Sequence, residues 1–455
     1  MFQYKNSIGV AAMVAVFLFL GVGCKKYLDE KPNKQLVIPS TLVDLQALLQ
    51  FEPAIFYDPG SDEVSADNYY LEDADYFGYL PDGDRRMYTW QKDGLFQSYP
   101  NEWSQLYKRI YYTNTVLDAL PGVQRTSGNA ATYDDVKGQA LLLRGKSFLQ
   151  AAIIWSPVYD KDKAGSTLGI PLRLNADFNE VTKRATLKET FDVVLSDLTL
   201  SAALLPVTPV HVTRPSRPAA FGYLARAYLY MGEYELAGKY ADSCLQLQSS
   251  LMDYNALDAT AAYPVPRFNE EEIMYNASAS IPLIYGIANI DSLLYQSFTP
   301  DDLRKEIFFQ DHGNGTFIFK GSYDGNFGGM YTGVATDEMY LTRAECFARS
   351  GNKQAALDDL NTLLIKRWRT GSFIPFTAGD AAGALALTLT ERRKELMFRS
   401  LRFADIKRLN RDGAGIVLKR ITDGVSYTLA PNDARYALAI PEEVITISGI
   451  EQNPR

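Results

Sequence analysis

Few residues of this sequence are spaced for catalysis or for metal binding. The two histidines, His211 and His312, lie about a hundred residues apart and belong to no HExxH motif or Cys/His cluster. No GxSxG motif, no GxxxxGKS/T loop and no GxGxxG after a strand is present. Asp311 and His312 are adjacent, but the glycines and the asparagine of DHGNGTF are typical of a turn. The sequence therefore predicts no cofactor, no His-ligated metal site and no catalytic residue.

Cys24 is the residue placed for a covalent modification. It follows an apolar stretch, Ile8 to Leu20, that has Lys5 as the only charge before it and is shorter than the roughly 20 residues of a membrane-spanning helix. Such a stretch is typical of a secretory signal, and LGVGC at 20–24 resembles a bacterial lipobox, whose cysteine carries a diacylglycerol. An ordinary signal peptide with a chance cysteine nearby is the alternative.

We therefore expect a lipoprotein signal peptide at 1–23 and a single lipid-anchored domain at 24–455. The net charge of −8 disfavours nucleic acid as a partner, because phosphate binding needs a basic surface. An apolar content of 47% allows a sizeable core. Cys244 and Cys346 lie in helix-like segments, and we expect both to be buried free thiols, with a disulfide between them as the alternative.

Two windows of the sequence share one helical pattern. Residues 224–247 and 343–365 can be laid together on Gly232 and Gly351, and small residues and aromatics then coincide. This arrangement resembles the tetratricopeptide repeat, in which small side chains let antiparallel helices approach and a glycine makes the turn. We interpret these windows as two helix pairs of a repeat scaffold.

Further helices and long irregular segments complete the predicted fold. Apolar residues at helical spacing predict helices at 102–120, 135–155 and 187–206, so that at least eight helices form an interrupted solenoid. The fold class is thus mostly α, a tetratricopeptide-like scaffold of about four helix pairs. Long irregular segments with short strands such as TFIFKG interrupt it, and we expect them to form the working surface. They lie at about 52–101, 253–335, 370–390 and 411–455.

Six segments in order along the chain resemble the SusD/RagB-like outer-membrane lipoproteins of Bacteroidetes. The family pattern carries an acid at the position of Arg399 and a tryptophan near Phe403, where this sequence differs. The matching segments are CKKYLDEKP, LGIPLRL, RPSRPAAFGYLARAYLYMGEYELAGKYAD, EMYLTRAECFARSGNKQAALDDLNTLLIKR, ERRKELMFRSLRFADIKR and YALAIPEEVITISGIEQNP.

The resemblance implies a non-catalytic, lipid-anchored and surface-exposed protein of the outer membrane. Such a protein captures a glycan or oligosaccharide and passes it to a SusC-like, TonB-dependent β-barrel transporter, and some branches of the family capture peptides. Two alternatives stay open. A surface hydrolase of polysaccharides would need two carboxylates about 5–9 Å apart, and a tetratricopeptide scaffold would bind only proteins.

The irregular segments carry the residue types that sugar binding requires. Flat aromatic faces stack on sugar rings, and planar polar side chains pair with hydroxyl groups. With 29 tyrosines in the chain, many aromatic side chains could instead cap the helices. We expect the ligand-binding residues to come from Asn68, Tyr69, Tyr70, Tyr76, Tyr79, Arg85, Trp90, Tyr285, Tyr323 and Asn326.

Four charged residues and a phenylalanine near the C-terminal end form a stripe on one predicted helix, 391–408. Their spacing of four, three, four and three places them on one face and predicts ion pairs with neighbouring repeats. A phosphate-binding patch of Arg392, Arg393, Lys407 and Arg408 is the alternative. The stripe consists of Glu391, Glu395, Phe398, Arg402 and Asp405.

The acidic segment DPGSDEVSADN at 58–68 could bind calcium through oxygen ligands. Its spacing does not match an EF-hand loop. We expect a solvated acidic loop without a metal ion.

Overall fold

The structure of the protein, a computed structural model, describes residues 39–51, 55–326 and 329–455. The predicted signal peptide and Cys24 lie outside the described residues. Within those residues the chain is mostly helical, as predicted. The helices are α1 (Leu42–Leu48), α2 (Ser61–Val64), α3 (Asp73–Tyr79), α4 (Asp82–Tyr88), α5 (Glu102–Ala119), α6 (Ala130–Trp155), α7 (Leu187–Leu204), α8 (Arg217–Met231), α9 (Tyr234–Leu245), α10 (Ile281–Ile284), α11 (Ser292–Gln296), α12 (Arg304–Phe308), α13 (Thr336–Arg349), α14 (Lys353–Leu364), α15 (Ala381–Glu395), α16 (Arg402–Arg411) and α17 (Glu442–Ser448).

Side-chain caps set the starts of the long helices. Asn101 caps α5, where its side chain accepts the N–H of Ser104 and the Ser104 hydroxyl accepts the N–H of Asn101. Thr186 and Glu189 form the same reciprocal box at the start of α7. Each box satisfies two backbone donors that an uncapped helix would leave unpaired. The boundaries at 102 and 187 were therefore readable from the sequence.

Eight long helices form the scaffold. α5 packs on α6, α6 on α7, α7 on α8, α8 on α9, α9 on α13, and α13 on both α14 and α15. The two predicted repeat units are the pairs α8–α9 and α13–α14. Gly232 and Gly351 make their turns with φ of 84° and 85°, a conformation that side-chain-bearing residues rarely adopt. Cys244 and Cys346 are buried free thiols, as predicted.

The irregular segments add short antiparallel strand pairs. β1 pairs with β6, β2 with β3, β4 with β10, β5 with β9, β7 with β8, and β11 with β12. The predicted strand TFIFKG contains β8, and DHGNGTF makes the β7–β8 turn. The strands are β1 (Tyr69–Tyr70), β2 (Leu168–Pro171), β3 (Arg184–Thr186), β4 (Glu272–Met274), β5 (Ala277–Ala279), β6 (Asn289–Ile290), β7 (Phe309–Asp311), β8 (Phe317–Phe319), β9 (Gly329–Tyr331), β10 (Val334–Ala335), β11 (Leu418–Thr422) and β12 (Val425–Leu429).

The single helix predicted at 391–408 is wrong, because the chain breaks between α15 and α16. Phe398 and Ser400 have φ of 56° and 54°, which ends the helical path and buries the Phe398 ring beside Tyr69 and Phe319. The helix α15 also begins at Ala381, inside the segment 370–390 that we expected to be irregular. Burying Phe398 in the core favours the break over a continuous helix.

Ion pairs are present in this region. Arg304 lies 2.6 Å from Glu391 and 2.9 Å from Glu395, and Arg402 lies 2.7 Å from Asp67. These partners of Glu391, Glu395 and Arg402 lie in the irregular segments and not in neighbouring repeats as predicted. Because the break separates the stripe, its members reach different neighbours. The phosphate patch is not formed, since Arg392, Lys407 and Arg408 are buried and bound within the protein.

Among the described residues, no helix combines the length and the apolar composition that crossing a bilayer requires.

Candidate functional site

The acidic segment 58–68 is not the solvated loop that we expected. Asp58, Asp62 and Glu63 are all buried. The Asp58 carboxylate accepts hydrogen bonds from Lys146 and Arg109, each at 2.9 Å, and from the Thr332 hydroxyl at 2.7 Å. Buried cations and a hydroxyl therefore replace the water that would solvate an exposed carboxylate. No group of acidic, histidine or cysteine side chains within the described part of the chain is arranged to hold a metal ion.

Asn68 is buried and forms a hydrogen bond with Glu63, a second acid of this segment. Its side-chain amide donates to one Glu63 oxygen at 2.8 Å, and the Ser400 N–H donates to the other at 3.2 Å. Burial raises the pKa of Glu63 to about 7, because few charges compensate for the loss of water. In this structure Asn68 supports the interior and does not present its amide to a ligand.

The variant Glu63→Gln is expected to flatten the pH dependence of stability. The folded state resists ionisation of this carboxyl, so the free energy of unfolding falls as pH rises from the ordinary pKa of 4.5 to about 7. Over that window the wild type loses about 3 kcal/mol through this group, and a neutral glutamine loses none. Urea unfolding of both proteins at pH 4.5 and pH 8 measures the difference.

The exposed Glu235 provides a matched control, since Glu235→Gln removes the same charge without changing the interior. Its unfolding free energies should follow those of the wild type at both pH values. Parallel pH profiles for Glu63→Gln and the wild type would contradict the argument.

Three of the aromatic residues predicted in the first irregular segment lie in the core. Tyr69, Tyr76 and Trp90 are 4%, 8% and 2% exposed. The Trp90 indole N–H donates to the Ser65 carbonyl at 3.0 Å, and the Arg420 guanidinium lies 5.0 Å from the Trp90 ring and 5.2 Å from the Tyr69 ring. These rings stabilise the packing of 64–90 against β11 and offer no open face to a ligand.

The residues predicted in the second irregular segment include both buried and exposed side chains. Tyr323 is 1% exposed, its hydroxyl donates to Glu271, and the Arg399 guanidinium stacks on its ring at 3.7 Å. Asn326 is exposed, with its amide donating to Asp324. Tyr323 is therefore structural, and Arg399 has a cation–π partner and an ion pair with Asp337 at 2.9 Å.

Tyr79 and Tyr285 are the two predicted residues that the fold brings together at the surface. Their ring centroids are 5.1 Å apart with 36° between the planes, and the residues are 49% and 56% exposed. We call this pair the tyrosine platform. Tyr70 and Arg85 are half-buried, and Arg85 lies 3.6 Å from Asp82 in an ion pair.

The β1–β6 pairing explains why the two tyrosines meet. Tyr69 pairs with Ile290 and Tyr70 with Asn289, so the chain leaving β1 runs beside the chain entering β6. The Asp291 N–H donates to the Asn68 carbonyl at 2.9 Å and extends this contact. The pairing therefore brings the segment after β1, which contains Tyr79 at the end of α3, beside the segment before β6, which contains Tyr285 just after α10. Sequence spacing alone did not indicate this pairing.

A second candidate site is an apolar groove along α5, which the sequence analysis missed. The groove encloses about 420 Å³, within the range of ligand pockets. Trp103 and Tyr107 stack at 4.6 Å, and Tyr111 packs on Phe178 at 4.7 Å. The spacing of aromatics at 103, 107 and 111 on one helix face was the available signal. Trp103 itself is buried, with 5% of its surface exposed.

The polar groups of the α5 groove already have partners in the protein. The Tyr107 hydroxyl donates to the Pro171 carbonyl at 2.8 Å, the Tyr99 N–H donates to Glu443 at 2.9 Å, and Arg173 donates to the Glu180 carbonyl at 2.7 Å. The groove thus offers apolar contact but few free hydrogen bonds. A hydroxyl-rich ligand is better matched by the tyrosine platform, where Asp75 lies one helical turn before Tyr79 on α3.

Comparisons with known proteins agree with the fold. Residues 26–229 match a family model described as SusD-like, starch-binding and associating with the outer membrane. No protein with a curated function matches the chain.

Solved structures of low sequence identity share the fold over nearly their whole length. A SusD superfamily protein of Bacteroides thetaiotaomicron is 22% identical with a TM-score of 0.69, covering 91% of this chain and 100% of that one. A SusD-like carbohydrate-binding protein of Bacteroides vulgatus is 21% identical with a TM-score of 0.69, covering 90% and 97%. A SusD superfamily protein of the same species is 19% identical with a TM-score of 0.73, covering 91% and 99%.

Proposed function

Since the chain belongs to the SusD/RagB-like family, we propose that it is a non-catalytic binding protein that captures a glycan or oligosaccharide at the outer membrane. In this proposal a lipid on Cys24 anchors the chain at the cell surface, and a SusC-like, TonB-dependent transporter receives the ligand. The family's description as starch-binding and associated with the outer membrane supports a carbohydrate-binding role in nutrient uptake.

The observation that carries the proposal is the tyrosine platform. Two adjacent rings, each about half exposed, offer a shallow V-shaped apolar surface to the C–H face of a sugar ring. Asp75 lies one helical turn before Tyr79 on α3, so its carboxylate can accept hydrogen bonds from hydroxyl groups. Aromatic stacking with a hydrogen-bond acceptor at the edge suits a saccharide.

Replacing Tyr79 or Tyr285 by alanine is expected to weaken glycan binding by about 5- to 30-fold. Each substitution removes one stacking face, worth about 1–2 kcal/mol with its buried area. Calorimetric titration of the purified chain with plant, microbial and host oligosaccharides, and with peptide mixtures, measures the effect.

Tyr99→Ala provides the matched control. Like the platform residues, Tyr99 is an exposed tyrosine, with 70% of its surface exposed, but it lies in the α5 groove. Its binding should equal that of the wild type. If Tyr99→Ala loses affinity and the platform variants do not, the ligand binds in the α5 groove. A response to peptides alone would assign the chain to peptide capture, and sustained release of reducing sugar would contradict a non-catalytic role.

A further inference from the structure

The two segments that form the tyrosine platform carry only negative charge. Residues 66–84 and residues 268–303 contain six acidic residues each and no lysine, arginine or histidine. Several of these acids are neutralised inside the fold, among them Asp67 by Arg402 and Asp302 by Arg304. The charge that faces a ligand therefore depends on which acids stay exposed and unpaired.

Three acids at the start of α3 have no cation partner within the described part of the chain: Glu72 and Asp73 are exposed, and the half-buried Asp75 lies one helical turn from Tyr79. Among the described residues, no ion pair involves Glu72, Asp73 or Asp75. Asp73 accepts the N–H of Asp423 at 2.8 Å, which brings a fourth acid from the β11–β12 turn to the same place. We call these four residues the acidic rim.

The arginines closest in sequence do not offset this charge. Arg85 pairs with Asp82, and Arg86 pairs with Asp93 and donates to the Asp93 carbonyl at 2.7 Å. Arg393 lies 3.8 Å from Asp291, in the second of the two segments, and 3.4 Å from Asp67, in the first. Each of these guanidinium groups already faces a carboxylate of its own, which leaves the acidic rim uncompensated.

Building on the proposed function, we propose that the acidic rim makes the tyrosine platform selective for uncharged glycans. A neutral sugar can stack on the rings and donate its hydroxyl hydrogens to the rim carboxylates. A uronate or sulfate group places a second negative charge a few ångströms from them. At surface dielectric and low salt, this repulsion weakens binding by roughly tenfold.

The test compares neutral and anionic oligosaccharides of equal length on the full chain. The neutral probes are malto-, cello-, xylo- and mannohexaose, and the anionic probes are hexamers of galacturonate and mannuronate and a chondroitin sulfate hexasaccharide. We expect micromolar-to-millimolar binding of at least one neutral probe and roughly tenfold weaker binding of the anionic set in 20 mM salt. At 0.5 M salt the difference should shrink to about twofold, because rim charges are screened.

The variant Asp75→Asn tests the charge of the acidic rim while keeping the shape of the side chain. The amide keeps an acceptor oxygen but removes one negative charge, so the ratio of anionic to neutral affinity should rise about threefold at low salt. Asp358→Asn removes the same charge from exposed α14 and should leave the ratio unchanged.

The outcomes distinguish the selectivity from the proposed function. Anionic probes that bind as tightly as neutral ones, with loss of binding in Tyr79→Ala, would overturn the selectivity and leave the platform as the glycan site. A ratio that does not respond to Asp75→Asn would also overturn it. Binding of no saccharide, or binding that is insensitive to Tyr79→Ala, would overturn the proposed function and the selectivity together.

Discussion

Asp58→Ala is expected to lower the free energy of unfolding by about 3–5 kcal/mol. The Asp58 side chain is fully buried with Lys146 and Arg109, and it receives hydrogen bonds from both at 2.9 Å. Burial opposes its ionisation, but these two cations hold the pKa of Asp58 at about 2. Alanine would remove the carboxylate that Lys146 and Arg109 share in the interior, where a charge that loses its counterion is poorly solvated.

Chemical denaturation of the variant at pH 7 measures this loss. Asp192→Ala is the matched control, because Asp192 lies 2.6 Å from Lys188 in an ion pair on the surface of α7, and exposed pairs contribute about 0–1 kcal/mol. The double variant Asp58→Ala with Lys146→Met should recover part of the stability, since it also removes the buried Lys146 charge that Asp58 compensates. A loss below 1 kcal/mol for Asp58→Ala would show that water or relaxation compensates the site.

Glu395→Ala should be about as damaging, because Glu395 bridges two buried arginines. Its carboxylate lies 2.9 Å from Arg304 and 2.7 Å from Arg367, and all three side chains are fully buried. Burial would raise the pKa of Glu395, yet the two guanidinium groups hold it below its usual value. We expect a loss of about 3–5 kcal/mol, because the two arginines would lose a shared counterion.

Unfolding monitored by circular dichroism gives this value, with Glu306→Ala as its matched control. Glu306 pairs with Arg369 at 2.8 Å, but both side chains are half exposed, so its loss should cost less than about 1 kcal/mol. Equal losses for the two variants would contradict the importance of burial.

The scaffold was predictable because its signals are local. Capping residues, helical spacing and the paired glycines at 232 and 351 act within one or two turns of helix, so they define α5, α7, α8, α9, α13 and α14 without knowledge of the rest of the chain. The break between α15 and α16 was missed, because it depends on the packing of Phe398 against Tyr69 and Phe319, which are distant in sequence.

The candidate site was less predictable, because exposure is set by contacts across the chain. Tyr69, Tyr79 and Trp90 occur in one aromatic segment, and nothing in that segment separates them. Arg420 on β11 covers the rings of Tyr69 and Trp90, whereas Tyr79 has Tyr285 as its ring partner and stays half exposed. The same holds for the acids at 58–63, which look solvated until Lys146 and Arg109 are brought to Asp58.

The distance along the chain between the two rings of the tyrosine platform also affects when the platform can form. Tyr79 and Tyr285 are separated by roughly 200 residues. A contact between residues so far apart closes a long loop, which costs conformational entropy and forms slowly. Neither tyrosine forms the platform by itself, so a chain that has folded only its first helices has no complete platform. Under the proposed function, ligand capture therefore requires the completed fold, and the binding stoichiometry measures how much of a preparation has reached it.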